Sequence, residues 1–309
     1  MEGVLNVSKP LGPTSFSVVE SVRKIVGVEK AGHIGTLDPS ATGVLPICLN
    51  RSTKISQFLT GLDKEYRATM TLGIETDSQD GQGKIISKSD PSWVKENDIK
   101  KTFTEFTGII SQTPPMFSAK KRKGIPLYKL ARNGITVKRK PFSINIISMD
   151  LIYKKGNEIE FITHCSSGTY IRTLCHDVGQ RLGCGAHLKN LIRTRVGSFK
   201  LSHSVTLEDL KLAVHKKNLD EILITPRDVL NFFPEATVKE PYIEAVMHGK
   251  PLSKSYFKAF PQQFRYGMKV RISSSDHILL AIAESLADQE AFDKMTPEDI
   301  LFKLKRVFN

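Results

Sequence analysis

The sequence has no apolar run that is long enough to cross a membrane. A transmembrane helix needs about 20 consecutive apolar residues, and none of the apolar stretches approaches that length. The first residues also lack the charged segment and the long apolar segment that make up a secretory signal. We therefore expect a cytoplasmic protein that has no membrane partner.

Cysteine is scarce, and its spacing is not that of a zinc site or a disulfide framework. The 4 cysteines include no Cys-x-x-Cys pair. Three histidines lie close to three of the cysteines, which keeps a metal site as a minor alternative: His164, His176 and His187. We expect reduced thiols and no bound metal.

The sequence also lacks the signatures of several enzyme classes. It has no Gly-x-x-x-x-Gly-Lys-Ser/Thr loop for a nucleotide, no His-Glu-x-x-His zinc motif and no glycine-flanked nucleophilic serine. We therefore expect chemistry that needs no cofactor.

Acidic residues are absent from residue 106 to residue 149. Within this segment lies a set of uncompensated cations, namely Lys120, Lys121, Arg122, Lys123, Lys129, Arg132, Lys138, Arg139 and Lys140. The formal net charge of the whole chain is +13. A solvated surface would explain a basic run, but so strong a positive field favours a polyanionic partner such as a nucleic acid.

Residues 32–46 contain three glycines and two prolines. This composition disfavours a helix or a central strand and predicts a shaped loop. Asp38 precedes a proline, which restricts its backbone to extended conformations. An Asp-Pro turn is the simple interpretation of this residue, and a displayed nucleophile or general base is the functional one.

Two further side chains suit chemistry around a carboxylate. Residues 65–72 alternate as in a strand, and Tyr66 would lie on its apolar face, at the edge of the core. Residues 171–182 have helical apolar spacing, and Arg172 stands at the start of that helix, where the helix dipole disfavours a cation. A carboxylate or phosphate opposite Arg172 would explain its position.

The length and the patterns predict two domains. A chain of 309 residues is long for one core. Mixed helical and strand patterns extend to Pro234, and hairpin patterns follow it. At the N-terminal end, Ser17 and Glu20 fit a capping box for a helix that ends at Gly27.

Several short segments occur in an order that is specific as a set. They are residues 6–15, 32–46, 64–67, 72–73, 76–80, 114–119, 127–132, 165–174 and 183–188. Together they resemble the TruB family of bacterial tRNA pseudouridine synthases. Asn50 departs from the usual glycine of the family, but asparagine tolerates a positive φ and can keep a turn.

The resemblance implies an α+β fold. It consists of a pseudouridine synthase core, with a large, mainly antiparallel sheet and flanking helices, followed by a small β-rich module that resembles a PUA domain. The catalytic domain would be residues 1–235, with a basic RNA-contacting segment at about residues 117–142. The PUA-like domain would be residues 236–309.

The resemblance also implies a reaction, the isomerisation of uridine 55 in the T-loop of tRNA. The base would flip out, and Asp38 would attack C1′ while the glycosidic bond breaks. The freed uracil would turn and rejoin the ribose through C5. Arg172 would pair with Asp38, Asp80 would complete the charge network, and Tyr66 would stack on the base and is a candidate for proton removal.

Further site residues follow from the same resemblance. Tyr170 and Leu191 would line the pocket and exclude water, and His33 would help to fill the place of the flipped base. Phosphates of the T-stem-loop would be contacted by Lys9, Lys121, Lys129 and Arg132.

Two alternatives stay open. An RNA-guided synthase of the dyskerin type shares the motifs but needs partner proteins and a guide RNA. A non-catalytic RNA-binding protein or tRNA-folding chaperone would have no need of a buried acid. The central basic segment and the chain length favour the bacterial type, which we expect to act as a monomer without an obligate protein partner.

Overall fold

The computed structural model describes residues 1–118, 120–122 and 124–308, without the side chains of Lys121 and Arg132. Within this part of the chain no helix is long and apolar enough to span a membrane. No three His, Cys, Asp or Glu side chains of the described residues come together as metal ligands would.

Fourteen strands precede residue 225 in the described chain. They are β1 (Gly3–Lys9), β2 (Ala31–His33), β3 (Ala41–Leu49), β4 (Lys64–Leu72), β5 (Ile74–Thr76), β6 (Ile85–Lys88), β7 (Gly108–Gln112), β8 (Lys121–Arg122), β9 (Ile125–Pro126), β10 (Phe142–Lys155), β11 (Glu158–Cys165), β12 (Ala186–Val196), β13 (Phe199–Lys200) and β14 (Leu223–Ile224). Six more strands follow: β15 (Glu235–Val238), β16 (Leu252–Ser253), β17 (Phe257–Ala259), β18 (Lys269–Ser273), β19 (Leu279–Ser285) and β20 (Ile300–Val307).

The described residues form nine α-helices. They are α1 (Ser15–Val26), α2 (Ser56–Leu59), α3 (Glu96–Phe106), α4 (Leu127–Arg132), α5 (Ile171–Leu182), α6 (Leu207–Lys216), α7 (Pro226–Val229), α8 (Ile243–Met247) and α9 (Gln289–Lys294). The mixture of separate helices and large sheets confirms the predicted α+β class.

A ten-stranded sheet organises the N-terminal part of the chain. Its strand order is β14-β1-β3-β12-β4-β11-β10-β7, with β2 paired to β3 and β13 paired to β12. The described pairings are antiparallel except that β3 and β12 run parallel. The predicted large and mainly antiparallel sheet is therefore confirmed, and β3, β12 and β4 lie at its centre.

Strand β4 has the predicted alternation, because four of its apolar side chains are buried in one core cluster: Tyr66, Ala68, Met70 and Leu72. Helix α5 contributes Ile171, Leu174 and Val178 to the same cluster. The rings of Phe103 on α3 and Phe161 on β11 lie 5.3 Å apart between their centroids. Burial of this apolar surface holds α3 and α5 against the sheet.

Helix α1 begins earlier than the sequence predicted. Thr14, in an extended conformation, is the N-cap, and its hydroxyl accepts from the Ser17 backbone N–H at 3.0 Å. The predicted capping box at Ser17 is wrong, since Ser17 is the third helical residue and Glu20 pairs with Arg23. The helix ends at Gly27, as predicted, in the left-handed conformation.

The prediction that all of residues 32–46 form a loop is also wrong in part, because Pro46 belongs to the central strand β3. Strand β12 pairs with β3 only at residues 41–43, and β2 pairs with it at residues 47–49. Pro46 lies between these two pairings, where the ladder does not need the N–H that proline lacks. Asn50, just after β3, has a φ of 46°, as its tolerance of positive φ predicts.

Gly43 allows the parallel strands β3 and β12 to come together. Its φ is +103°, and a Cβ placed there would lie 2.3 Å from the Arg193 carbonyl oxygen. We expect Gly43→Ala to lower the free energy of unfolding by about 3 kcal/mol, measured by urea denaturation. Gly61→Ala is the control, because a Cβ there meets no atom within 4 Å, and equal stabilities of the two variants would contradict the expectation.

The C-terminal strands form a second sheet of order β16-β20-β19-β18-β15-β17. This sheet has its own apolar cluster, which includes Val270, Phe257 and Phe302. A β-rich C-terminal module is therefore present, while its PUA character and the boundary at residue 235 stay predictions. A further apolar cluster contains side chains from strands of both sheets. We call it the shared cluster, and it includes Val4, Val44, Val196, Leu230, Leu279 and Ile282.

Candidate active site

The Asp38 loop, residues 34–40, connects β2 to β3. It is hydrogen-bonded to two residues that follow β1 in the chain, Gly12 and Ser15. Ser15 at the start of α1 donates its hydroxyl to the Leu37 carbonyl at 2.9 Å and accepts from the Leu37 N–H at 2.8 Å. The Gly12 N–H donates to the Pro39 carbonyl at 2.9 Å. The residues on both sides of Asp38 are thus fixed by hydrogen bonds, which holds the backbone that carries its side chain.

Lys9 at the end of β1 also fastens this loop. Its ammonium donates to the carbonyls of Ala41 at 2.7 Å, Pro10 at 2.9 Å and Pro39 at 3.4 Å. Burial lowers the pKa of Lys9 to about 8, although the charge of Asp38 opposes this shift.

The position of Lys9 corrects the prediction that it contacts phosphate. Its side chain is 0% exposed, and its three donors already have backbone acceptors. A buried ammonium that is satisfied in this way cannot reach an RNA backbone outside the protein. Its contacts make it a support of the Asp38 loop.

Arg172 joins two carboxylates. Its Nη2 lies 3.0 Å from Asp38 Oδ2, and its Nη1 lies 3.3 Å from Asp80 Oδ2. Arg172 is 7% exposed and is the second residue of α5. The carboxylates opposite it explain a cation at a helix start, where the dipole alone would disfavour one.

Asp80 is held by further hydrogen bonds. Its Oδ1 accepts from the Ser78 hydroxyl at 2.6 Å and from the Gln82 N–H at 3.0 Å. Arg172 is therefore anchored on a fixed and buried carboxylate, and it orients Asp38 with its other nitrogen.

The Asp38 side chain is 42% exposed, so a substrate can reach it. Its pKa lies above the ordinary aspartate value because the surrounding protein removes water, and the charge of Asp80 adds to this rise. Arg172 and Lys9 oppose the rise. The exposed part of the carboxylate is therefore available to act, while Arg172 holds Oδ2.

Tyr66 is buried on β4, in the same apolar cluster as Leu37 of the Asp38 loop. Burial raises the pKa of its phenol, and the charge of Asp38 acts in the same direction. The positive charge of Arg193 opposes both effects. The structure therefore brings Tyr66 into the electrostatic range of Asp38 as a neutral phenol.

Tyr170 and Leu191 lie on the neighbouring elements. Tyr170 is the N-cap residue of α5, and Gln112 holds its backbone by a pair of hydrogen bonds of 2.9 and 3.1 Å. Burial raises the pKa of its phenol. Leu191 on β12 is partly buried against the cluster that contains Tyr66 and pairs with Ala41 at the end of the Asp38 loop.

His33 is the last residue of β2 and is half-buried. Its Nδ1 is buried and has no hydrogen-bond partner among the described residues. Burial lowers the pKa of His33, and the charge of Arg193 lowers it further, so the imidazole is neutral at physiological pH.

The predicted phosphate contacts lie partly outside the described structure. Lys129 is exposed on α4, which follows the small β8–β9 hairpin. The side chains of Lys121 and Arg132 lie outside the described residues. The basic segment at about residues 117–142 therefore stays a prediction as an RNA-contacting element.

The sequence arguments missed Arg193, which is 1% exposed beside this site. One signal was available, because Arg193 is two residues from Leu191 and so shares its face of a strand. The sequence patterns did not assign residues 186–195 to a strand. The rule that residues two apart share a face could therefore not be applied to Leu191 and Arg193.

The chain matches two family models. Residues 23–171 match the N-terminal domain of the TruB family pseudouridylate synthases, and residues 172–230 match the tRNA pseudouridylate synthase B C-terminal domain. The tRNA pseudouridine synthase B of Pelotomaculum thermopropionicum is 44% identical over 308 residues, which cover 98% of this chain and 96% of the relative. That of Geobacter sulfurreducens is 39% identical over 310 residues, which cover 100% of both chains.

Solved structures show the same similarity. A chain of a Cbf5-Nop10-Gar1 complex matches with a TM-score of 0.78 and 30% identity, over 99% of this chain and 85% of that one. A chain of an H/ACA RNP bound to a substrate RNA containing 2′-deoxyuridine also has a TM-score of 0.78, with 28% identity and the same coverage. The family models, the relatives and the solved structures agree, and the chain belongs to the TruB family of pseudouridine synthases.

Proposed function

We propose that this isomerase converts uridine 55 in the T-loop of tRNA to pseudouridine. The observation that carries the proposal is the Asp38 carboxylate, which is accessible on a hydrogen-bonded loop and is paired with buried Arg172. The relatives of 39% and 44% identity are named tRNA pseudouridine synthase B, which supports tRNA as the substrate.

The reaction proceeds in two steps on one ribose carbon. The target base flips out of the T-loop, and a carboxylate oxygen of Asp38 attacks C1′, so that the bond from C1′ to N1 of uracil breaks. The detached uracil turns and forms a bond from C5 to C1′, which releases Asp38. The hydrogen of C5 leaves as a proton, and N1 gains one.

The neighbouring side chains hold the uracil between these steps. Tyr66 stacks on the base and is the candidate that removes the C5 proton, for which its protonated phenol must first lose its own proton. Tyr170 and Leu191 line the pocket and keep water from C1′. His33, as a neutral imidazole, fills the space that the base leaves in the T-loop.

Docking of the T-stem-loop uses the basic segment. Exposed Lys129, together with Lys121 and Arg132, contacts phosphates, and the folded shape of the T-arm is selected through these contacts. Such contacts make affinity fall with rising salt concentration.

The rate should depend on the protonation of Asp38, because only the carboxylate attacks C1′. Since burial raises the pKa of Asp38 above the ordinary aspartate value of 3.8, the acid limb of the pH-rate profile is expected above that value. Lys9→Met removes a charge that favours the carboxylate, so its acid limb should lie higher still. Single-turnover rates between about pH 4 and pH 8 check this, with Lys24→Met as the control.

A profile of the Lys9→Met variant that shifts toward lower pH, or a wild-type midpoint at or below the ordinary aspartate value, would contradict this assignment. Lys24 is the appropriate comparison because it lies in the last turn of α1 and its charge does not contribute to the pKa of Asp38.

The test of the function is release of tritium from a T-arm transcript labelled at C5 of uridine, with no other protein or RNA present. Bond formation at C5 must expel that hydrogen. We expect release by the wild type and none when uridine 55 is replaced by cytidine. Binding without release would support the non-catalytic or the RNA-guided alternative.

A second candidate is an RNA-guided synthase, which is favoured by one observation. Two of the structural neighbours are described as parts of an H/ACA RNP and of a Cbf5-Nop10-Gar1 complex. The same experiment separates the candidates, because a guided enzyme would release no tritium from a bare T-arm.

A further inference from the structure

Arg193 is among the largest fully buried side chains of the described chain. Within residues 1–118, 120–122 and 124–308, no carboxylate lies within 4.0 Å of its guanidinium. Burying a cation without a paired anion is unfavourable unless hydrogen bonds compensate. Hydrogen bonds to other groups must therefore compensate the buried charge of Arg193.

Backbone carbonyls on both arms of the Asp38 loop accept from this guanidinium. Nε donates to Val44 at 2.7 Å, Nη2 donates to Gly35 at 2.9 Å, and Nη1 donates to Thr36 at 3.3 Å. Gly35 and Thr36 precede Asp38, and Val44 follows it on β3. One planar group thus joins the entry and the exit of the loop.

The strand register places the same residue next to Tyr66. On β12, Arg193 is directly opposite Tyr66 of the antiparallel strand β4 and Gly43 of the parallel strand β3. The charge of the guanidinium favours the ionised form of the Tyr66 phenol, against the effect of burial on its pKa. Arg193 is therefore hydrogen-bonded to the Asp38 loop and is the cross-strand neighbour of Tyr66, the two parts of the site that must face one uridine.

We propose that Arg193 is a positioning residue, whose guanidinium fixes the Asp38 loop and the Tyr66 ring relative to each other for the isomerisation. This inference depends on the proposed function. Arg193 is too deeply buried to contact RNA, so its loss affects the reaction and leaves RNA affinity unchanged. Lysine offers a point charge without the planar set of donors and replaces it poorly.

The experiment compares Arg193→Lys and Arg193→Met with Arg195→Met in the full chain. Arg195 lies on the same strand but pairs with Asp63 and Glu65. Single-turnover tritium release, filter binding of the T-arm and thermal unfolding are measured for each variant. We expect rate losses of roughly 100-fold for Arg193→Met and about tenfold for Arg193→Lys, with Kd within about twofold of the wild type and with Arg195→Met active.

A spectroscopic measurement reports on Tyr66 without relying on activity. The chain has 7 tyrosines, and carbon-13 at the ring carbon that bears the hydroxyl gives each of them a resonance, with Tyr66→Phe to identify that of Tyr66. We expect this resonance to move in Arg193→Lys and to stay in place in Arg195→Met. An unmoved resonance would overturn the inference.

The outcomes separate the two proposals. A wild type that releases no tritium overturns the proposed function and this inference together. An active wild type with an equally active Arg193→Lys, or a rate loss that loss of affinity explains, overturns the inference alone. If Arg193→Met does not fold, Arg193→Lys decides, because it keeps the charge and most of the side-chain volume.

Discussion

Asp38→Asn is expected to abolish pseudouridine formation, with a rate at least roughly 10⁴-fold below that of the wild type. The amide has nearly the size of the carboxylate, and its oxygen can still accept from Arg172, so the loop should keep its structure. The amide carries no negative charge and cannot form the bond to C1′. Single-turnover tritium release from the labelled T-arm measures the loss.

Binding is expected to persist in this variant, because the phosphate contacts lie elsewhere. Asp77→Asn is the matched control, since Asp77 is exposed and its Oδ1 accepts from the Lys84 N–H at 2.9 Å, a role that the amide oxygen of asparagine can keep. Its rate should stay within about twofold of the wild type. A rate of Asp38→Asn within tenfold of the wild type would mean that another group attacks C1′.

Arg172→Met is expected to lower both stability and rate. Removal of one partner of a buried ion pair leaves a carboxylate without compensation and costs about 3 kcal/mol. Most of this loss comes from buried Asp80, since Asp38 remains partly solvated. The rate should fall roughly 100-fold or more, because the carboxylate that attacks C1′ loses its orientation.

Urea denaturation and single-turnover release check both parts of this expectation. Arg181→Met is the control, because Arg181 lies on the same helix and pairs with Glu105 at the surface, with 59% of its side chain exposed. Such an exposed pair contributes less than about 1 kcal/mol. Equal stabilities of the two variants would contradict the view that Arg172 compensates a buried charge.

Periodic apolar patterns predicted a large part of this fold. Strand β4 and helix α5 are buried on the faces that their sequences indicated, because one side of each element faces the core. The position of Arg172 at a helix start correctly predicted a carboxylate opposite. These features follow from local sequence, since each depends on spacing or on charge near a helix end.

Residues whose environment depends on distant strands were not predicted. Pro46 lies in a central strand because β12 and β2 leave a gap beside it, and no local pattern contains that gap. Lys9 was expected to contact phosphate, but the carbonyls that hold it come partly from a loop 30 residues away. Arg193 was missed because its role depends on the pairing of three strands.

The shared cluster makes the geometry of the Asp38 loop depend on the C-terminal sheet. Val44 places its side chain in this cluster with Leu279 and Ile282 of β19, while its carbonyl accepts from Arg193. Because apolar burial stabilises both sheets through one interior, they should unfold in a single cooperative transition. Loss of the C-terminal sheet would thus loosen the Asp38 loop. It would also expose apolar surface that favours aggregation.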